Sequence, residues 1–249
     1  MNRSGKNAHY SYSIYADSAI AGQFDDSHFG GPVGRLIVEM QEHVLLDFLG
    51  DPRPLTALDV GTGTGRAAFA MTQGGVRVTG ADASREMLKV AGRRSAENGL
   101  AVVFLPGDAH ALPFADRSFD VVVSLRMLMH TPDWRCCLAE MCRVARRRLV
   151  FDYPPLISFA ALQTASRKAA QLVGRRVEAY HVLRTGAVRT VLHANGFEVV
   201  KMDRQFVLPI AFHKWIGSTR FTANSERVLA AMGLLRGLGS PVTILAEKI

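Results

Sequence analysis

Residues 55–65, Leu-Thr-Ala-Leu-Asp-Val-Gly-Thr-Gly-Thr-Gly, constrain this chain more than any other stretch. Ala57, Leu58 and Val60 read as the core of a strand. Three glycines follow at alternate positions, and Arg66-Ala67-Ala68-Phe69-Ala70-Met71 then reads as a helix. Strand, glycine turn and helix in that order let a nucleotide-like ligand approach bare backbone, because glycine has no Cβ in the way. The register narrows the choice. A dinucleotide-binding turn requires G-x-G-x-x-G, whereas Gly61, Gly63 and Gly65 follow G-x-G-x-G and Arg66 occupies the place of the third glycine. Asp59 adds a carboxylate inside the motif.

Further motifs follow in order. Val76–Asp82 reads as a second strand ending in an acid, roughly 20 residues past the glycines, the usual distance for a carboxylate that accepts from ribose hydroxyls. Ser84 is a good N-cap for a helix carrying Met87, Leu88 and Ala91, which Asn98-Gly99 stops. A third strand, residues 101–105, leads into Gly107-Asp108-Ala109, Leu112-Pro113-Phe114 and Ser118-Phe119-Asp120-Val121-Val122-Val123-Ser124. Phe119, Val121 and Val123 read as core positions of a fourth strand.

Taken together, residues 35–152 resemble the class I S-adenosylmethionine-dependent methyltransferases, in the branch that includes the ubiquinone and menaquinone biosynthesis enzymes. The resemblance implies S-adenosyl-L-methionine as cofactor. It implies binding by Asp59, Gly61, Thr62, Gly63, Gly65, Asp82, Ala83, Met87 and Ser124, with Asp108 accepting from the adenine amino group and Ala109 lying against the ring. It also implies that the N-terminal segment folds over the cofactor as a lid, with Arg35 placed to pair with the methionyl carboxylate.

The chain has 249 residues and is 48% hydrophobic, enough for one large α/β domain with a generous core. The alternation of strand and helix predicts a Rossmann-like fold: a seven-stranded, mostly parallel sheet with an antiparallel last strand and helices on both faces. Within this single domain, 1–50 form the lid region and 51–153 the cofactor-binding core. Residues 154–184 and 209–239 are expected to be helical insertions above the carboxyl edge of the sheet, forming a substrate cap. The specific elements are a helix over 35–49, another over 134–145, a fifth strand over 148–153 ended by Pro154-Pro155, a helix over 185–194, a sixth strand over 197–207 and a last strand over 240–247.

Net charge is +8. Between Arg143 and Arg204 the cations greatly outnumber the acids, which favours anionic partners. The run Arg146-Arg147-Arg148 is expected at a helix C-terminus, where the dipole favours cations. Nucleic acid is argued against by the lack of interleaved aromatic and basic residues and by Ser124-Leu125-Arg126-Met127, which stands where amino-directed nucleic-acid methyltransferases carry their signature. The basic, half-apolar 156–176 stretch could instead rest on a membrane surface while collecting a lipid-like substrate. Met1–Ser13 has no apolar segment of a secretory signal, and no apolar run reaches the ~20 residues of a membrane helix. Cys136, Cys137 and Cys142 crowd one helix, as reduced thiols of a cytoplasmic protein would. No acid and histidine cluster has metal-ligand spacing, so no metal is expected.

Methyl transfer needs the nucleophile held in line with the methyl group, and a base only when the acceptor must lose a proton. His130, in Leu128-Met129-His130-Thr131-Pro132-Asp133, is the candidate base. That stretch resembles an L-H-H-x-x-D segment of similar enzymes, with Met129 replacing the first histidine. Arg126, a cation directly after a buried strand, is a candidate to hold an acidic acceptor group. Tyr153 is a candidate for the acceptor side. The expected activity is methylation of oxygen or carbon on a small apolar, aromatic, quinone-like or lipid-linked molecule. A nicotinamide oxidoreductase and a cofactor-binding module without turnover are the alternatives.

Overall fold

The computed structural model describes residues 17–50, 56–159 and 180–249. The tyrosines at 10, 12 and 15 and most of the first expected insertion, 160–179, lie outside the described residues. Helices α1 (Ser18–Phe29) and α2 (Gly31–Leu49) precede β1 (Thr56–Val60), α3 (Arg66–Gln73), β2 (Arg77–Asp82), α4 (Arg85–Glu97), β3 (Val103–Pro106) and β4 (Phe119–Ser124). A 3-10 turn at Leu128–His130, α5 (Trp134–Val144), β5 (Ala145–Tyr153), α6 (Thr185–Ala194) and β6 (Phe197–Phe206) follow. Helices α7 (Ile210–Ile216), α8 (Thr219–Ala231) and α9 (Leu234–Leu238) lead to β7 (Ser240–Lys248).

Local chemistry sets most of these boundaries. The carboxylates of Asp17 and Asp133 accept from the first backbone N–H groups of α1 and α5, and the Ser84 hydroxyl accepts from Met87 N in α4. Helix α2 starts at Gly31, four residues before the expected Arg35. Pro32 falls in its first turn, where a missing N–H costs nothing, so Gly30 alone is the break between α1 and α2. Strand β5 starts at Ala145 and takes in the arginine run expected at a helix end. There Arg146 pairs with Asp120 and Arg148 with Glu247, so cross-strand acids compensate the run.

The strand order is β3-β2-β1-β4-β5-β7-β6. The first five are parallel and β7 runs antiparallel to both of its neighbours. Strand alternation divides the core in two. Leu58, Val122, Leu149, Phe151 and Tyr153 face α5 and α6; Ala57, Val121, Val123 and Val150 face α2 and α3 with Leu45, Phe48 and Met71. A slip of one residue in β1 would drive Asp59 into the first cluster and pull Leu58 out, so apolar burial enforces the register.

The order reverses between β1 and β4, which opens a crevice at their carboxyl ends. Strand β6 lies at the far edge. The second insertion therefore packs on α2 rather than over the crevice, and none of its residues lines the cavity described below. Residues 209–239, expected to cap the substrate, thus stand apart from that cavity. The insertion touches the lid instead, where Lys214 Nζ donates to the carbonyls of Ser27 and His28 at the end of α1. Buried Glu226 holds the insertion in place, accepting from Val207 N, Leu208 N and His213 Nε2.

Arg143 fixes the connection from β3 to β4. Its guanidinium donates to the carbonyls of Leu112 and Phe114 and to the carboxylates of Asp116 and Glu140, and Glu140 accepts in turn from Leu112 N. Arg143→Met should cost about 1–3 kcal/mol in urea unfolding, since charge-assisted bonds to a half-buried loop are lost. A change under ~0.5 kcal/mol would place these bonds among weak surface pairs.

Candidate functional site

The glycine turn after β1 is shaped by its bonds to β2. Gly61 N and Thr62 N both donate to Ala81 O, at 2.8 and 3.1 Å. Gly61, Gly63 and Gly65 have φ of +71°, +54° and +92°, a region that disfavours side chains. Their surroundings differ. A Cβ on Gly61 would come within 2.4 Å of Met127 Cγ, and one on Gly65 within 2.7 Å of the Phe69 ring, but one on Gly63 would meet nothing within 4 Å. Gly63 is thus where main chain lies open to a ligand.

A cavity of about 240 Å³ sits over this turn. Of the residues anticipated from sequence, Asp59, Gly61, Thr62, Gly63, Asp82, Ala83, Met87, Asp108, Ala109, Arg126 and His130 line it. Four do not. Gly65 lies behind the turn and caps α3. Ser124 is fully buried and donates to Val60 O at 2.9 Å, tying β4 to β1 beneath the cavity. Arg35 is exposed because Val33, Gly34 and Ile37 take the inward positions of α2; it borders a separate, shallower pocket beside Asp25 and Glu39. Tyr153 is buried on the opposite face of β5, its hydroxyl 3.0 Å from Thr185 Oγ1. Alternation puts it with Phe151 and turns its neighbour Asp152 toward the α2 and α3 side instead.

The acids are held in distinct ways. Asp82 accepts from Gly63 N and Ser84 N, both at 2.8 Å, so one carboxylate joins the glycine turn to the start of α4. Burial pushes its carboxyl upward, and those backbone bonds work against the shift. Asp108 Oδ1 accepts from His110 N and lies 2.7 Å from His110 Nδ1. Asp133 N donates to His110 Nε2 at 3.3 Å, which places the ring proton on Nδ1, donating to Asp108. Asp59, 2% exposed, accepts from the Thr62 hydroxyl at 2.7 Å. Its carboxyl is pushed up to about 6, chiefly by burial and further by nearby Asp82.

Several lining residues went unrecognised in the sequence. Helix α1 supplies Phe24, His28 and Phe29 as one wall. Asp25 latches that helix, pairing with Arg94 of α4 and accepting from the Thr64 hydroxyl at 2.8 Å. Arg66, read only as a helix opener, lines the cavity with its guanidinium carbon 3.6 Å from the Phe29 ring centroid. Burial lowers its pKa to about 10, assisted by nearby Arg126. Arg126 adopts φ +59°, its N–H bonded to the Asp152 carboxylate. His110 was legible only as a histidine two places beyond Asp108. His130 ends the 3-10 turn, edge-on to the Tyr180 ring at 5.8 Å.

Comparison with known proteins places this geometry in a family. The family described as "Methyltransferase domain" matches residues 58–150. The chain is 36% identical over 115 residues to a demethylmenaquinone methyltransferase of Thermus thermophilus, covering 44% of this chain and 52% of that protein. It therefore spans about half the length of that relative. Against the demethylmenaquinone methyltransferase of Beutenbergia cavernae it is 34% identical over 173 residues, 62% of this chain and 70% of that one. The magnesium protoporphyrin IX methyltransferase of Synechocystis, solved with bound S-adenosylhomocysteine, superposes with a TM-score of 0.66 at 16% identity, over 96% of this chain and 98% of that one, a likeness of fold.

Asp59 also makes a prediction about pH. Its folded carboxyl titrates near 6 against an ordinary 3.8, so its contribution to stability is fully present below 3.8 and is lost as pH rises through about 6. Asp59→Asn should flatten the fall in unfolding free energy between pH 4 and 6, by about 3 kcal/mol at most. Urea titrations at four pH values measure it, and an unaltered slope would show that Asp59 is ionised throughout. With the glycine turn, the acids and the relatives in agreement, the chain belongs to the class I S-adenosylmethionine-dependent methyltransferase family.

Proposed function

We propose that this protein binds S-adenosyl-L-methionine in the cavity over β1 and β4 and transfers its methyl group to an oxygen or carbon atom of a small apolar or aromatic acceptor. The quinone-type relatives support an acceptor of quinone-like or lipid-linked character. The observation that carries the reading is the convergence of Asp59, Asp82 and Asp108 with the open Gly63 backbone on one cavity. When bound, the cofactor supplies a methyl group on a positively charged sulfur, and the sulfur leaves as a neutral thioether.

The residues fit that group. Asp82, oriented by Gly63 N and Ser84 N, accepts from the ribose hydroxyls. Asp108, steadied by His110, accepts from the adenine amino group, with Ala109 against the ring. Asp59, disfavoured as an anion by burial, regains its charge beside a cation. Helix α1, latched by Asp25, excludes water over the cofactor, and Met87 and Phe24 supply apolar wall. His130 faces the same cavity from the end of the 3-10 turn after β4 and takes the acceptor proton where the acceptor has one to lose. The setting we assign is cytoplasmic, consistent with three free cysteines. No helix among the described residues is long and apolar enough to cross a membrane.

Titration calorimetry with S-adenosylmethionine, S-adenosylhomocysteine and NADH tests the assignment. Tight binding of NADH with no binding of either sulfur ligand would overturn it in favour of an oxidoreductase. Asp82→Ala should weaken S-adenosylhomocysteine binding by about 1–3 kcal/mol through loss of charge-assisted hydrogen bonds; unchanged affinity would remove Asp82 from the ribose. His130→Ala should slow methyl transfer while leaving cofactor affinity unaltered, and undiminished turnover would end its role as base.

A further inference from the structure

Two arginines open onto the cavity where the assigned cofactor contacts do not account for them. Arg66 starts α3 and Arg126 follows β4, and their guanidinium carbons lie 3.6 and 5.7 Å from the centroid of the same Phe29 ring. An arginine presents five N–H donors in a planar fork. Among the described residues, no group accepts a hydrogen bond from either guanidinium and no acid pairs with either within 4 Å. The acids that do reach Arg66 electrostatically are Asp25, Glu42, Asp152 and Asp59, the last pushed by burial toward its own neutral form. Asp25 is already taken by Arg94 and Thr64. Burial pushes the carboxyls of Glu42 and Asp152 toward their neutral forms. Asp152 spends one oxygen on the backbone of Arg126, and its buried Oδ2 has no hydrogen-bond partner among the described residues.

Gathering two like charges at one buried ring costs free energy unless an anion joins them. The cofactor does not offset this cost. S-adenosylmethionine carries a sulfonium and an ammonium group against a single carboxylate, so it brings a net positive charge into the cavity. Asp59 and Asp82 stand on the glycine-turn side to meet it. Arg66 follows the glycine turn directly, and Arg126, between Leu125 and Met127, meets it at the Phe29 ring in the same cavity.

We infer that Arg66 and Arg126, arranged around Phe29, form a subsite for a carboxylate on the methyl acceptor, so that the substrate is a planar apolar acid whose ring lies near Phe29 and whose carboxylate is bound by the guanidinium forks. This rests on the cavity being the methyl-transfer site. Bidentate guanidinium pairing favours a carboxylate held in a fixed plane, and that orients the acceptor atom relative to the cofactor. Phe29 comes from α1, so the subsite is complete only when Asp25 has latched that helix to Thr64 and Arg94. Arg126 adopts its left-handed backbone because Asp152 accepts from its N–H, which aims the residue back over the crevice instead of onward along the strand.

The test uses the full chain and a pair of probes, 4-hydroxybenzoate and its uncharged methyl ester, titrated with and without saturating S-adenosylhomocysteine. The acid should bind at least tenfold more tightly than the ester. Arg126→Gln and Arg66→Gln should each abolish that preference, Arg126→Lys should keep part of it, and S-adenosylhomocysteine affinity should stay within about twofold in all three. Equal binding of acid and ester, or binding of neither, would overturn the inference. The cofactor's own carboxylate is the competing source. A glutamine variant that loses S-adenosylhomocysteine but still binds 5′-methylthioadenosine, which has no amino-acid end, would assign the arginines to the cofactor and likewise refute the acceptor subsite. Failure of both sulfur ligands to bind the unaltered protein would refute the methyltransferase reading itself, a result separate from the acid and ester comparison.

Discussion

The carboxylate of Asp82 is the interaction on which the site depends. It ends β2, accepts from Gly63 N in the turn after β1, and accepts from Ser84 N at the start of α4. One side chain thereby ties the turn after β1 to the junction of β2 and α4, 19 residues further along the chain. The turn can adopt its positive φ angles only because it carries glycine at 61, 63 and 65. The backbone donors it presents are in turn oriented by an acid that burial would otherwise push toward its neutral form. The arrangement is strained electrostatically, and the ligand we propose, with hydroxyl donors and positive charge, would relieve it.

The same tension recurs around the cavity. Asp59, Asp82 and Asp152 are carboxylates kept from water on one side of the sheet, and Arg66 and Arg126 are cations kept from one another only by a phenylalanine ring and distance. Several charges elsewhere are compensated locally. Arg146 meets Asp120, Arg148 meets Glu247, and Arg143 is satisfied by two carboxylates and two carbonyls. Among the described residues, Asp59, Asp152, Arg66 and Arg126 are charged groups held from water without an ion-pair partner within 4 Å, and they gather at or beside this cavity, the pattern expected when stability is given up for binding.

The N-terminal helix over the cavity depends on contacts that reach across the molecule. Helix α1 is held by Ala21 and Phe24 packing on Met87 and Val90, by Asp25 bridging to Thr64 and Arg94, and by Lys214 from the distant second insertion binding its last carbonyls. That insertion therefore contacts α1 and does not line the cavity. Its place follows from β6 lying at the sheet edge, separated from the β1–β4 switch point by β7 and β5.

Much was legible in the sequence because it is local. The G-x-G-x-G spacing, the acid ending β2, the Gly-Asp-Ala segment after β3 and the alternation of strand and helix are short-range signals, and the elements formed within a few residues of where they were expected. Local readings misled where a tertiary partner decides. Arg146–Arg148 joined a strand because β4 and β7 offer pairing and acids. Tyr153 turned inward because alternation on β5 is set by packing against α6. Arg35 turned outward because three small or apolar neighbours claim the inner face of α2. The sequence alone determined the class of fold, the glycine turn and the acids placed beside it, since these follow from backbone stereochemistry and spacing. Only the tertiary structure decided that Arg66 and Arg126 share the Phe29 ring and that Asp152 faces them. Those residues lie on four separate elements, and nothing short of the folded sheet brings their charges within reach of one another.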